Sequence, residues 1–227
     1  MAHSSLTLRA WISLAALAVV MAALLFGSAG TFRYWEAWLY LLIFIGGSAL
    51  TTLDLLERDP DLLERRMHAG PSAEKEPAQR VIMSVTSLGF LALLAVPALD
   101  QRFHWSTVPF LVIVTGDLLV GLGLYFIVLV YHENTYTAAT VQVAEGQTVI
   151  STGPYAIVRH PMYASAFLYL AGTPLALGSY FGMISFVCIA PFIVWRMFDE
   201  ERLLARELRG YIEYQNRVRY RLVPFVW

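Results

Sequence analysis

The stretch MYASAFLYLAGTPLALGSYFGMISFVCIAPFIVW, residues 162–195, runs for 34 residues without an Asp, Glu, Lys or Arg. One membrane-crossing helix needs about 20 mostly apolar residues to traverse a hydrocarbon layer roughly 30 Å thick. The stretch is too long for one such helix and suits two short ones. Gly178-Ser179-Tyr180 supplies the break between them, because Gly and Ser interrupt helices at little cost. The reading is a helical hairpin whose two ends return to the same side.

Working outward, four more apolar runs fall at about residues 10–27, 35–53, 81–99 and 108–131. The composition agrees: of 227 residues, 58% are hydrophobic and 15% charged, against roughly 25% charged in soluble domains. The fold class is therefore all-α integral membrane, with about six transmembrane helices and a C-terminal helical hairpin. The basic residues test the count. Six spans put 14 of the 16 Lys and Arg residues on one side and leave only Arg33 and Arg102 on the other. Five spans, with 162–195 crossing once, would move the seven basic residues after span six to the sparse side and erase the asymmetry. An excess of Lys and Arg marks the cytoplasmic side, so both termini are expected there, as in a multi-pass protein of a bacterial inner membrane. Trp35, Trp38 and Trp105 fall at outer boundaries, and Trp11 and Trp195 at inner ones, where amphipathic rings prefer to sit.

The chain divides by composition. Residues 1–131 form a four-helix membrane region with short connections, apart from the charged 54–80 loop. There Asp59-Pro60-Asp61 and Gly70-Pro71-Ser72 bracket one short interfacial helix. Residues 132–227 hold nearly all the unusual polar chemistry. Within them Ala144-Glu145-Gly146-Gln147 reads as a turn, Thr148-Val149-Ile150 as an extended run, and Asp199–Arg219 as an amphipathic helical tail broken at Gly210. The single cysteine, Cys188, excludes an internal disulfide and a cysteine-cluster metal site. No His lies at ligand spacing, so no metal is expected. The net charge of −1 gives no sign of nucleic-acid binding, and no feature speaks to oligomeric state.

Two polar clusters flank the hairpin. Gly153-Pro154-Tyr155-Ala156-Ile157-Val158-Arg159-His160-Pro161-Met162-Tyr163 enters it and Arg196-Met197-Phe198-Asp199-Glu200-Glu201-Arg202 leaves it. A hairpin brings its ends together, so the clusters are expected to meet and could bind a ligand carrying both an ammonium and a carboxylate, for which Arg offers a planar fork. The plainer reading is that Arg159, His160 and the C-terminal arginines anchor helices to lipid headgroups. Residue spacing alone leaves both open. Asp117 is the only charge well inside a span; it reads either as functional or as a polar lock between helices. His132, Glu133 and Asn134 either line a cytoplasmic mouth or cap span four.

Gly153-Pro154-Tyr155 followed by Val158-Arg159-His160-Pro161-Met162-Tyr163 resembles the signature of the isoprenylcysteine carboxyl methyltransferase family and its phospholipid methyltransferase relatives. Glu200-Glu201, with Leu203-Leu204, Gly210-Tyr211 and Tyr214 after them, resembles the family's C-terminal acidic motif. The resemblance covers roughly residues 110–227, with both motifs in the family's order. It departs at Ser165, where the family usually has Gly.

The resemblance implies methyl transfer from S-adenosyl-L-methionine in a cytoplasmic cofactor pocket, with residues 132–227 as the catalytic region. It implies cofactor binding by Gln147, Thr148, Val149, Ile150, Tyr155, His160, Pro161, Met162, Tyr163 and a motif glutamate. Arg196 with Glu200 one turn later matches the spacing of the family's acceptor-facing Arg and its Glu, and these two are the catalytic candidates. Glu201 is the other alignment and joins the cofactor set. The expected partner is a lipid or lipophilic small-molecule acceptor in the membrane, with a carboxylate such as isoprenylcysteine favoured because of Arg196. A phospholipid amine or a thiol is the alternative acceptor. An NADPH-dependent reductase of the sterol-reductase type is the rival enzyme, and a transporter, which should show inverted repeats, the rival of another class.

Overall fold

The computed structural model describes residues 2–74, 76–137, 139–141, 143 and 146–227. Among these lie eight α-helices and no strand: α1 Ala2–Ala29, α2 Trp35–Arg58, α3 Pro60–Met67, α4 Pro77–Phe103, α5 Phe110–Glu133, α6 Pro161–Ala176, α7 Gly182–Glu207 and α8 Tyr211–Arg217. The chain is an all-helical integral membrane protein. Five helices, all but α3, α6 and α8, are long and apolar enough to cross a membrane.

The sixth expected pass is α6. Its 16 residues, at 1.5 Å per residue, give about 24 Å, less than the roughly 30 Å of a hydrocarbon core. It nevertheless joins the two ends of the bundle. At its far end the Leu177 carbonyl accepts from the Tyr34 hydroxyl at 2.6 Å. The Ser179 hydroxyl donates to Asp100 at 2.5 Å, whose other oxygen accepts from the Ser106 amide at 2.7 Å. These bonds tie the α6–α7 turn to the start of α2 and to the α4–α5 loop. Gly178, at φ 67°, makes the break the sequence placed there.

The opposite end is basic. Arg9 of α1 meets Glu64 of α3 at 2.9 Å, and His132 at the end of α5 meets Asp54 of α2 at 2.8 Å. Arg102 packs instead against Gly30 at the far end. α3 forms where the breakers predicted a short helix. The Asp59 side chain accepts from the Leu62 amide at 2.9 Å and Pro60 takes the first helical position, a pairing that needs no extra donor. The run at 148–150, expected to be extended, forms neither helix nor strand among the described residues. The turn read at 144–147 falls partly on Ala144 and Glu145, outside the described residues.

α7 runs further than its apolar stretch, to Glu207. It packs along α4 from Gly182, against Pro97, to Arg196 and Asp199, which both meet Gln79, and past that point Glu201 is held by Arg159 and Arg221. α5 and α6 form the closest pair. A Cβ on Gly116 would lie 2.2 Å from the Ala176 nitrogen, and one on Gly123 2.9 Å from the Ser165 carbonyl. Small residues let backbones approach where the hydrophobic effect gives no drive between helices. Ser165, the departure from the family pattern, is buried in this seam, and its hydroxyl donates to the Pro161 carbonyl at 2.7 Å.

Gly116→Ala is expected to destabilise the protein by roughly 1–3 kcal/mol, because the new methyl meets main chain that cannot swing aside. Gly46→Ala, where a Cβ meets nothing within 4 Å, serves as the control and should be neutral or slightly stabilising. Thermal unfolding in the same detergent checks the pair; equal behaviour would contradict the seam.

Candidate active site

Pro161 starts α6 at the basic end, and the two residues before it are fixed by the tail of the chain. The Arg159 amide donates to the Tyr220 carbonyl at 2.8 Å and the His160 amide to the Arg221 carbonyl at 3.0 Å. The Arg159 guanidinium donates to the Val218 and Arg219 carbonyls, each at 2.9 Å, and to Glu201 Oε1 at 2.7 Å. Arg221 reaches Glu201 Oε2 at 3.0 Å, and His160 Nε2 lies 3.5 Å from Oε1. Glu201 and Arg159 are buried. A buried carboxylate survives only with such partners. Glu201 is thus a charge knot joining α6, α7 and the tail.

The next residue along the helix turns elsewhere. Successive α-helical residues point about 100° apart, so burying Glu201 in the knot turns Glu200 onto another face. There its carboxylate accepts from the Tyr163 hydroxyl at 2.6 Å. Glu200 and Tyr163 stand on the wall of a cavity of about 650 Å³ at the basic end. Of the residues expected in the site, Gln147, Thr148, Val149, Ile150, Tyr155, His160, Pro161, Met162, Tyr163, Arg196 and Glu200 all line it. Glu201 alone does not; its oxygens face Arg159 and Arg221.

The Gly-Pro-Tyr segment forms a short 3-10 turn at Gly153–Ala156. Gly153 sits at φ 54°, and a Cβ there would strike the Glu133 carboxylate, which accepts from the Thr152 hydroxyl. The turn carries Tyr155 inward. Its hydroxyl accepts from the Asn134 side-chain amide at 2.9 Å, and its carbonyl from the Tyr214 hydroxyl at 2.8 Å. Val149 packs with Leu208, Tyr211 and Tyr214, so the 148–150 segment lines the chamber by resting on α8. Burial pushes the phenols of Tyr155, Tyr211 and Tyr214 above the ordinary tyrosine range. All three therefore stay protonated at physiological pH. The Tyr211 hydroxyl, buried at the cavity wall, has no hydrogen-bond partner among the described residues.

Arg196 lines the cavity but is not bare. Its Nη2 donates to Glu74 Oε1 at 2.7 Å and to the Ala139 carbonyl at 2.8 Å. Its Nη1 donates to Gln79 Oε1 at 2.6 Å, and the Gln79 amide donates to Asp199 at 2.6 Å. Sequence reasoning missed Glu74 and Gln79, and it named Tyr211 in the acidic motif without giving it a role. Glu74 and Gln79 lie in or beside the 54–80 loop, assigned to the other half of the chain, and no local pattern links them to α7. Below this polar wall the cavity turns apolar, between Phe90 and Leu91 of α4 and Leu170, Ile189 and Ile193 of α6 and α7. Asp117 lies in the bundle away from the cavity, buried, with neither oxygen bonded among the described residues. His132 and Glu133 bind Asp54 and Thr152, whereas Asn134 lines the mouth.

Residues 111–209 match the phospholipid methyltransferase family. That family belongs to the isoprenylcysteine-carboxyl-methyltransferase-like group of membrane methyltransferases, and the match supports a methyltransferase. It runs from α5 to just past α7 and includes both polar clusters of the hairpin. No curated protein sequence matches the chain.

The two adjacent acids are expected to fail differently. Glu201→Gln leaves the buried Arg159 without its counter-ion and should cost about 3–5 kcal/mol. Glu200→Gln keeps an acceptor for Tyr163 and should stay within about 1 kcal/mol of wild type. Chemical unfolding of both variants decides; equal losses would remove the distinction between knot and wall.

Proposed function

We propose that the chain is an S-adenosylmethionine-dependent methyltransferase that modifies a lipophilic acceptor at the cytoplasmic face of its membrane. The observation that carries this is the two-part chamber, a polar wall with a carboxylate and buried phenols opening into an apolar limb between helices. Its residues fit the cofactor's chemistry. Glu200 offers a negative charge to an amino-acid ammonium or a sulfonium. Tyr155, Val149 and Leu208 offer apolar faces to a base, and the unpartnered Tyr211 hydroxyl offers a donor. Gln147, Thr148, Ile150 and Met162 complete the set that would hold it. When bound, S-adenosylmethionine supplies an electrophilic methyl group on a positively charged sulfur.

The chain's own part in such a transfer is placement and exclusion of water. Tyr163 and Glu200 hold each other at 2.6 Å, which fixes the direction in which the carboxylate faces. The apolar limb keeps bulk water from the reacting atoms and suits an acceptor arriving from the bilayer. The basic end, with 14 of 16 Lys and Arg residues, is the cytoplasmic one by the positive-inside rule, so a soluble cofactor reaches the mouth directly.

The reductase reading fits less well. A dinucleotide carries phosphates that need cations, and the arginines lining the cavity are engaged: Arg159 and Arg196 by Glu201 and Glu74, and Arg66 over the Tyr131 ring at 5.4 Å. Titration of purified protein with S-adenosylmethionine and with NADPH is expected to show binding of the first only. Tyr163→Phe and Glu200→Gln should each weaken that binding roughly tenfold, the effect of losing about 1.4 kcal/mol, with little change in unfolding temperature. Binding of NADPH alone, or unchanged affinity in both variants, would overturn the proposal.

A further inference from the structure

The guanidinium of Arg196 is the group a carboxylate acceptor would have to use. Its position for a carboxylate is filled from within the chain. Glu74 Oε1 lies 2.7 Å from Nη2, and the Ala139 carbonyl takes the second bond of that nitrogen at 2.8 Å. Gln79 takes Nη1 at 2.6 Å, and Tyr163 stands against the same group. Four neighbours from the α3–α4 loop, α4, the loop after α5 and α6 thus surround one side chain.

Glu74 is also built in rather than leaning in. It is 2% exposed, and its carbonyl accepts from Arg80 Nε at 2.8 Å, which fixes its backbone. Gln79, 1% exposed, is held from its other end by Asp199. A carboxylate arriving at Arg196 would strand the buried Glu74 charge, and an unpaired buried charge is costly. It would also meet Glu74 and Glu200 together, two negative charges against the one cation they already share, and like charges repel strongly where water is scarce.

We propose that Glu74 is a specificity-determining residue, a resident counter-ion that occupies Arg196 and closes the chamber to anionic acceptors. This rests on the methyltransferase reading and narrows it. The acceptor's reacting end is uncharged on arrival, as in an unprotonated amine or a thiol, and the carboxylate acceptor favoured from Arg196 in the sequence is excluded by Glu74. Arg196 is then a positioning residue that holds Tyr163, Gln79 and the loop at Ala139 in place.

The test uses two probes that differ only in the charge of one end, N-acetyl-S-farnesylcysteine and its carboxamide, bound to the full chain in lipid nanodiscs without cofactor. Wild type is expected to bind the carboxamide at least roughly tenfold more tightly than the acid. Glu74→Gln, which removes the charge and keeps an acceptor for Arg196, should abolish or reverse that preference. Glu74→Asp, which keeps the charge, should retain it. Wild type that binds the acid as well as the carboxamide overturns the proposal, and so does Glu74→Gln with an unaltered preference. If Glu74→Gln does not fold, the wild-type ratio and the Glu74→Asp ratio decide alone. Because no cofactor is present, a protein that fails to bind S-adenosylmethionine in a parallel titration counts against the methyltransferase reading, while the probe ratio still decides the role of Glu74.

Discussion

Glu201 is the residue on which the rest of the basic end depends. It compensates Arg159 and Arg221, lies beside His160, and joins helices separated by the whole hairpin. Charges of this kind are retained at a site of desolvation only when each has its partner. Because the knot fixes the rotation of α7, the residues on its other faces have no choice of direction. Glu200 meets Tyr163, and Arg196, one turn earlier, meets Glu74 and Gln79. The tail is drawn in by the same contacts, through the carbonyls of Val218 to Arg221. It brings α8 and its tyrosines against Val149. A chamber wall built from four separated stretches of sequence follows from one carboxylate.

At the far end the organising contacts are different in kind. Asp100 gathers the serines of two loops, and Tyr34 holds the last carbonyl of α6. These bonds matter because α6 is short. A 16-residue helix reaches across the bundle only if its ends are held by neighbours, and the glycine seam with α5 lets it lie close enough for that. The fold divides its work: hydrogen bonds and small residues set the hairpin's depth, and ion pairs set its rotation.

Much of this was legible in the residues. The uncharged length of 162–195 and the Gly178 break gave the hairpin, and the Asp59-Pro60 pair gave α3. These are local or additive properties, which sequence carries directly. What was not legible was tertiary. The apolar hairpin and the polar tail read as separate pieces, and only the structure joins them in one helix, Gly182–Glu207. Glu200 and Glu201 are adjacent and chemically equal, so only Arg159 and Arg221, distant in sequence, tell them apart. Glu74 carries no periodic signal at all, and its role exists only because α4 and α7 lie side by side. Arg196 illustrates the same limit: its fork suggested a carboxylate receptor, and its partners Glu74, Gln79 and Ala139 come from segments that no sequence pattern ties to α7.

The central claim is that one glutamate of the pair faces the chamber while the other holds the fold. A structure of the protein in lipidic mesophase with S-adenosylhomocysteine tests it most directly. The account expects the ligand bounded by Tyr155, Tyr163 and Glu200, with Glu201 still bonded to Arg159 and Arg221. A ligand contacted by Glu201 after release from Arg159, or one seated outside this chamber, would contradict it.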